Sequence, residues 1–397
     1  MKLTSTALVY SLSVLAVVGL VATLWLWPRL AGQRPLPVLG RLGLLTVVQV
    51  SVLAVLALSV NNSFGFYTSW DDLLRPGGAP LALAGSSSPR GAPPDPAKLV
   101  EPTTEGGMET VKDLLPPGAP EEVGKVESVR VNGPESGLSD QVFVYLPPEY
   151  FSPQYAKVRF PAVLAIGGFP GTSLHLLDSL QLPQAESALH KAGRTLPAVI
   201  VMARPTVAPP RNTECVDVVG GPKTETWFAK DLPTAIRSAY RVGHSEDTWG
   251  ALGYSTGGSC ALRLAMRHPE YFSAAAALHA DYEVPNDSFT GGDLFHGDTA
   301  LANQSDLTWR LQNLPAPRTS LLVVSTRTEE NYKATEDFLA VAKQVADAHP
   351  EFKVESNFLD DGGHNFDAWK RELPAALEWM SDRLSTFEWI SERDGAQ

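Results

Sequence analysis

Residues 249–260 read WGALGYSTGGSC, and this stretch decides the fold. Its small and apolar residues up to Tyr254 have the character of a buried strand, and residues 256–268 that of a helix. Between them Gly253-Tyr254-Ser255-Thr256-Gly257 leaves space only for a sharp turn. In such a turn the middle residue is held in a strained backbone conformation with its side chain exposed, and the flanking glycines let strand and helix approach closely. Ser255 is thereby placed as a candidate nucleophile. The G-x-S-x-G pattern alone recurs by accident in chains of this length, so its weight comes from what surrounds it.

Outward from this turn, strand-like runs alternate with helix-length segments. FPAVLAI, PAVIVMA, TWGALGY, FSAAAALHA, SLLVVST and KVESNFL read as strands, and helices are expected over residues 180–191, 226–240, 256–268, 333–347 and 366–384. In the last of these Leu373, Leu377, Met380 and Leu384 recur at spacings of four, three and four, which puts them on one face. VESVRV and QVFVYL, joined across NGPESG, predict an antiparallel pair at the sheet edge. This order implies an α/β fold, a mostly parallel sheet with helices on both faces. Ligands on such sheets bind at the carboxyl ends of the strands, where Ser255 falls.

A serine hydroxyl needs a base. Of the eight histidines, His364 stands in DDGGHNFDAW, in the loop between the last expected strand and the last helix, as a chain order of serine, acid, histidine requires. His279, at the end of the strand after the turn helix, is the competitor, while His268 next to Pro269 reads as a helix-terminal residue and His175, His190 and His349 have no motif around them. A carboxylate should then hold the imidazole. Glu329 and Glu330 both follow SLLVVST; Glu329 is assigned, with Glu330 its alternative and Asp281 a more distant one. Negative charge on a substrate oxygen requires N–H donors. The Thr256 amide opens a helix, and the Phe169 amide lies in the glycine-rich IGGFPGT loop. No H-E-x-x-H or clustered ligand spacing points to a metal, and no phosphate-binding or dinucleotide fingerprint is present, so no cofactor is expected.

The N-terminus is different in kind. Residues 3–27 carry no charge and are long enough, at about 1.5 Å per residue, to cross a hydrocarbon core of roughly 30 Å. Residues 42–60 repeat the pattern. A cleaved signal peptide would have a shorter apolar core and no second span. The loop between them holds Arg29, Arg34 and Arg41, against Lys2 before and Asp71 and Asp72 after, so the loop is expected in the cytoplasm and both termini outside. Trp25, Trp27, Phe64, Phe66, Tyr67 and Trp70 are placed like an interfacial aromatic belt. Residues 1–72 are thus expected to be a two-span transmembrane anchor, 73–123 a Pro/Gly/Ser-rich linker and 124–397 the catalytic domain. The net charge of −12 falls wholly on the part after the spans, since the charged side chains of the first 70 residues are all basic. An acidic surface argues against nucleic acid as a partner.

With GYSTGGS, GGFPG, LPPEYF and GGHNFDAWKRELPAALEWM in place, the region from about Gly124 to Leu384 resembles the esterase family of α/β-hydrolases, which includes S-formylglutathione hydrolase-like enzymes and the secreted mycolyltransferases. The two spans followed by NNSFGFYTSWDDLL look like membrane-anchored actinobacterial members of that group. The resemblance implies Ser255 as nucleophile, His364 as base, an acid in the Glu329–Glu330 pair, and acyl-ester chemistry without a cofactor. It implies a multi-pass cell-membrane protein with its catalytic domain outside, acting on cell-envelope lipid or glycolipid esters. An acyltransferase that moves the acyl group to a sugar is the alternative, and a noncatalytic envelope protein with the same fold a further one. Phe366 and Trp369 are similar to an aromatic segment of the mycolyltransferases, without a matching sugar pocket. The two cysteines, Cys215 and Cys260, are then expected to form a disulfide that pins the NTECVDVVGG loop beside the site.

Overall fold

The computed structural model describes residues 5–32, 34–64, 70, 98–103, 115, 117–209, 211–384 and 387–389. Lys2, Phe66, Tyr67, Asp71 and Asp72, and most of the expected linker, lie outside the described residues. Two compact units divide the chain, Met1–Pro76 and Gly77–Gln397.

The first unit is a pair of helices, α1 (Thr6–Leu26) and α2 (Pro35–Phe64), both long and apolar enough to cross a membrane. Ser5 caps α1 by accepting from the Leu8 amide, and Pro35 opens α2, where a missing N–H costs nothing. The hydroxyls of Ser11, Ser13 and Thr23 donate to carbonyls four residues back at 2.7, 2.9 and 2.7 Å, so these polar groups are satisfied within the helix. Gly19 lets the helices touch: a Cβ there would lie 3.0 Å from Val48 Cγ2. Elsewhere Val17, Leu24, Leu36 and Leu53 stay largely exposed. Arg29 lies over the Trp25 ring at 4.2 Å.

In the second unit the strands are β1 (Val100–Pro102), β2 (Lys125–Asn132), β3 (Ser139–Leu146), β4 (Val158–Arg159), β5 (Ala162–Ile166), β6 (Val199–Ala203), β7 (Trp249–Tyr254), β8 (Ala274–Leu278), β9 (Ser320–Thr326), β10 (Lys353–Leu359) and β11 (Glu388–Trp389). Nine of them form one sheet in the order β1-β2-β3-β6-β5-β7-β8-β9-β10, while β4 and β11 pair separately. Strands β1 to β3 are antiparallel to their neighbours, and everything from β6 to β10 is parallel. The principal helices are α3 (Leu182–Lys191), α4 (Leu232–Ala239), α5 (Thr256–Arg267), α6 (Tyr332–Ala348) and α7 (Phe366–Arg383).

Alternation along the strands feeds two cores. Ala162, Leu164 and Ile166 of β5 pack with Ala261 and Leu264 of α5 and Phe338 of α6; Val163 and Ala165 pack on the other face with Leu373, Leu377 and Met380 of α7. The single apolar stripe expected on the last helix is therefore the face laid on the sheet.

Three elements differ from expectation. The pair β2–β3 is not the edge, because β1, which lies inside the stretch expected as linker, pairs with β2 through Val100↔Val131, and Leu99 just before it is buried in the core. Three residues are too few to carry a periodicity, so the sequence offers no signal for them. The single helix expected over 226–240 is interrupted by a π turn at Trp227–Asp231 before α4. Pro233 has no N–H to return to the Ala229 carbonyl, and the wider turn carries the chain past it. The strand expected through Ala280 stops at Leu278, because His279 takes φ 54°.

Candidate active site

The parallel strands wind outward in both directions from β5, to β6 on one side and β7 on the other. The crevice at such a switch point lies between the loops that leave β5 and β7. These are the IGGFPGT loop and the turn at Ser255.

Ser255 has φ 56° and ψ −131°, a left-handed strained conformation that costs on the order of 1–3 kcal/mol and must be held by its surroundings. The hold comes from both sides: the Ser255 amide donates to the Leu278 carbonyl at 2.9 Å, and its own carbonyl accepts from Gly258 at 2.8 Å. The glycines are obligatory by contact. A Cβ on Gly253 would sit 2.1 Å from the Gly257 carbonyl oxygen, and one on Gly257 2.0 Å from that of Ile166.

His364 leaves β10 in the loop before α7. Its Nε2 lies 2.7 Å from Ser255 Oγ and its Nδ1 2.8 Å from Glu329 Oε1. With Nδ1–H donated to the carboxylate, Nε2 is the nitrogen left to accept the serine hydrogen. Asn365 caps α7 by accepting from Ala368 at 3.0 Å, and Thr328 Oγ1 donates to Gly362 O at 2.8 Å, tying the acid loop to the histidine loop. The Trp369 ring meets the imidazole edge-on at 5.1 Å between centroids.

Of the acid candidates the structure brings Glu329 to the histidine and leaves Glu330 exposed. Asp281 accepts from Asn331 Nδ2 at 2.8 Å instead. His279 does not reach the serine: its Nδ1 lies 2.7 Å from Glu329 Oε2 and its Nε2 3.0 Å from Glu372 Oε1. Burial would raise the Glu329 carboxyl, but the two histidines bonded to it hold it down at about 2. Burial would depress His279, but Glu329 and Glu372 lift it to about 9. Ligand atoms of His279, Glu329 and His364 lie within 4.8 Å of one another, a spacing a metal could use. Each of those nitrogens is already engaged in a hydrogen bond, so the group is built as a bonded chain.

The β5 loop closes over Ser255: a Cβ on Gly168 would lie 3.0 Å from Ser255 Cβ. Phe169, joined to Pro170 by a cis peptide, follows it. Thr256 is the first residue of α5, so its amide has no helical acceptor and opens at the serine. The loop is braced from below by Tyr254, bonded to the Gly168 backbone and raised by burial, and by buried His175, whose Nδ1 accepts from the Thr172 amide at 3.0 Å. Phe289, 62% exposed, meets Phe169 edge-on at 5.6 Å. Cys215 and Cys260 are bonded, with Cα atoms 5.5 Å apart, so the 212–223 loop is fixed to the buried side of α5.

The sequence reading missed Glu372, His175 and Phe289. Glu372 did leave a signal, an acid on the apolar face of α7 beside Leu373 and one turn after Trp369. His268, His190 and His349 lie against Glu225, Glu149 and Glu351 at 2.8, 2.9 and 3.5 Å, away from the serine.

An uncharacterised protein of Corynebacterium glutamicum is 23% identical over 261 residues, 64% of this chain and 58% of its own length, so the chain spans little more than half of that relative. Among solved structures, a ferulic acid esterase superposes with a TM-score of 0.56 at 17% identity, covering 66% of this chain and 98% of its own. An S-formylglutathione hydrolase from Agrobacterium tumefaciens gives 0.53 at 15% identity over 66% and 96%. At these identities the likeness is one of fold, that of an α/β-hydrolase. The family model described as "Putative esterase" matches residues 137–380, more than half of the chain, and the protein with its serine turn at the sheet's switch point belongs to that family.

Proposed function

We propose that the protein is a membrane-anchored serine esterase whose catalytic triad is Ser255, His364 and Glu329, with its active site outside the cytoplasmic membrane. The observation that carries this is the unbroken hydrogen-bonded line from Ser255 Oγ through His364 to Glu329, on a strained turn at the head of a helix. Ser255 attacks an acyl ester as its proton passes to His364 Nε2. The oxyanion is held by the amides of Thr256 and Phe169. Collapse expels the alcohol, which takes the proton from His364, and leaves an acyl-serine. Water, deprotonated by His364, then releases the acid. The His364 side chain is 39% exposed, which supports water as the second nucleophile. The two apolar helices, the arginines between them and a disulfide, a bond kept in oxidising compartments, support the anchored, outward placement.

The test uses the full chain in detergent with p-nitrophenyl acetate and longer p-nitrophenyl esters, with and without a sugar acceptor. Ser255→Ala is expected to lower kcat by roughly 10⁴-fold or more; equal rates for the two proteins would end the esterase reading. Acyl sugar formed faster than free acid would make the enzyme a transferase. A membrane-impermeant fluorophosphonate should label Ser255 in intact cells, and labelling only after lysis would reverse the orientation.

A further inference from the structure

The acid of the proposed triad does not end the chain of hydrogen bonds. Beyond Glu329 lie His279 and then Glu372, with side chains 6%, 0% and 0% exposed. The proposed reaction uses neither of the last two. His279 is fixed from its own backbone as well: it turns out of β8 with φ 54°, and its amide donates to the Val324 carbonyl at 2.8 Å. Trp369 packs against both imidazoles, at 6.3 Å from His279 and 5.1 Å from His364. Glu372 gives Oε1 to His279, and its Oε2 has no partner among the described residues.

We propose that His279 is a positioning residue of the triad: held as a cation between Glu329 and Glu372, it locks the Glu329 carboxylate and tempers that carboxylate's field on His364. Two buried carboxylates on one imidazole are tolerated only with a compensating positive charge, since an unpaired buried ion costs several kcal/mol. A carboxylate with one partner can swing; Glu329 has both oxygens taken, at 2.8 and 2.7 Å, so the oxygen facing His364 cannot leave it. The His279 ring lies 5.8 Å from that of His364, within range of a direct charge–charge interaction. The titratable groups facing His279 are Glu329 from the loop after β9, Glu372 from α7 and His364 from the loop before α7; Asp281, two residues along its own segment, is exposed and turned to Asn331. The two carboxylates outweigh burial in keeping the ring protonated, which agrees with its being raised to about 9.

The inference rests on the triad reading, and its test separates the two. In the full chain, His279→Gln removes the charge, and His279→Gln/Glu372→Gln removes it without stranding a buried carboxylate. His279→Gln should move the acid limb of the kcat/KM–pH profile upward by roughly one pH unit, because the cation beside His364 is gone, and the double variant should move it the same way but less, because the Glu372 anion goes with the cation. The plateau should fall roughly tenfold for the lost charged hydrogen bond. An acid limb that stays in place in a variant that still unfolds cooperatively overturns the proposal. Histidine ¹⁵N NMR of the wild type at neutral pH decides it without any variant. A buried ring with two slowly exchanging N–H signals is expected, and a ring with one overturns the proposal whatever the rate. Ser255→Ala with unchanged turnover would instead overturn the triad and leave the NMR result standing.

Discussion

His364 and His279 bind the two oxygens of one carboxylate and live in opposite surroundings. His364 sits at the rim, more than a third exposed, with one nitrogen on Ser255. His279 is sealed under Trp369 with an acid on each nitrogen. The difference shows how one residue type serves two ends. A ring with one acidic partner and an open side can accept and return a proton, whereas a ring between two acids in the dry interior keeps its own. Glu329 joins the two regions, and its burial with both oxygens engaged explains why it, and not its neighbour, stands there.

Breaking that joint should have the largest effect. Glu329→Gln puts an amide where both imidazoles donate, so His364 loses its tautomer and His279 loses one of its anions. A fall in kcat of roughly 10³–10⁴-fold is expected in the p-nitrophenyl ester assay, with KM nearly unchanged. A loss under tenfold would mean that the rim histidine works without the buried half.

The rim has its own support, and it can be cut separately. Cys260 lies on α5 little more than a turn beyond Ser255, and its bond to Cys215 closes a sequence separation of 45 residues. Cys215→Ser/Cys260→Ala is expected to cost about 2–4 kcal/mol in denaturant unfolding. The His279–Glu329–Glu372 cluster lies on other elements, so the His279 N–H signals should be unaltered in this variant. Their loss would show that rim and interior are one cooperative piece.

How much of this was legible follows from what each residue must do. The turn at Ser255 announced itself because Gly253 and Gly257 are required by contact distances of about 2 Å to neighbouring carbonyls. His364 and the Glu329–Glu330 pair were legible from their places after strands. Choosing between the two acids was not, since it depends on which side chain turns inward at the end of β9. His279 was visible as a histidine near the site, but its place needed Glu372, 93 residues away in sequence. β1 was missed for the opposite reason: an edge strand of three residues is specified by its partner more than by its own composition.

The buried half also has a signature in stability. His279 is raised from 6.5 to about 9 in the folded protein, so the stability it contributes is fully present below about pH 6.5 and is lost as pH rises through about 9. Glu329 runs the other way. It is lowered from 4.5 to about 2, so its contribution is present above about pH 4.5 and disappears as pH falls through about 2. Between pH 6.5 and 9 the wild type should therefore lose on the order of 1–3 kcal/mol that His279→Gln/Glu372→Gln does not lose. Parallel stability–pH curves for the two proteins across that interval would mean His279 is neutral when folded.

The smallest effect is expected one residue from the largest. Glu330 is exposed, so its charge is screened by water and salt, whereas Glu329 works through two short hydrogen bonds in a partly dry site. Glu330→Gln should leave kcat/KM within about twofold of the wild type and the acid limb in place, as for surface charges generally. A change as large as that for Glu329→Gln would exchange the two acids. Because β9 ends at Thr326, such an exchange needs a turn that rotates the chain by one residue, and this would also pull the Glu329 side chain off His279. Kinetics of Glu330→Gln and the N–H signals of His279 would then change together, while in the structure described they are independent.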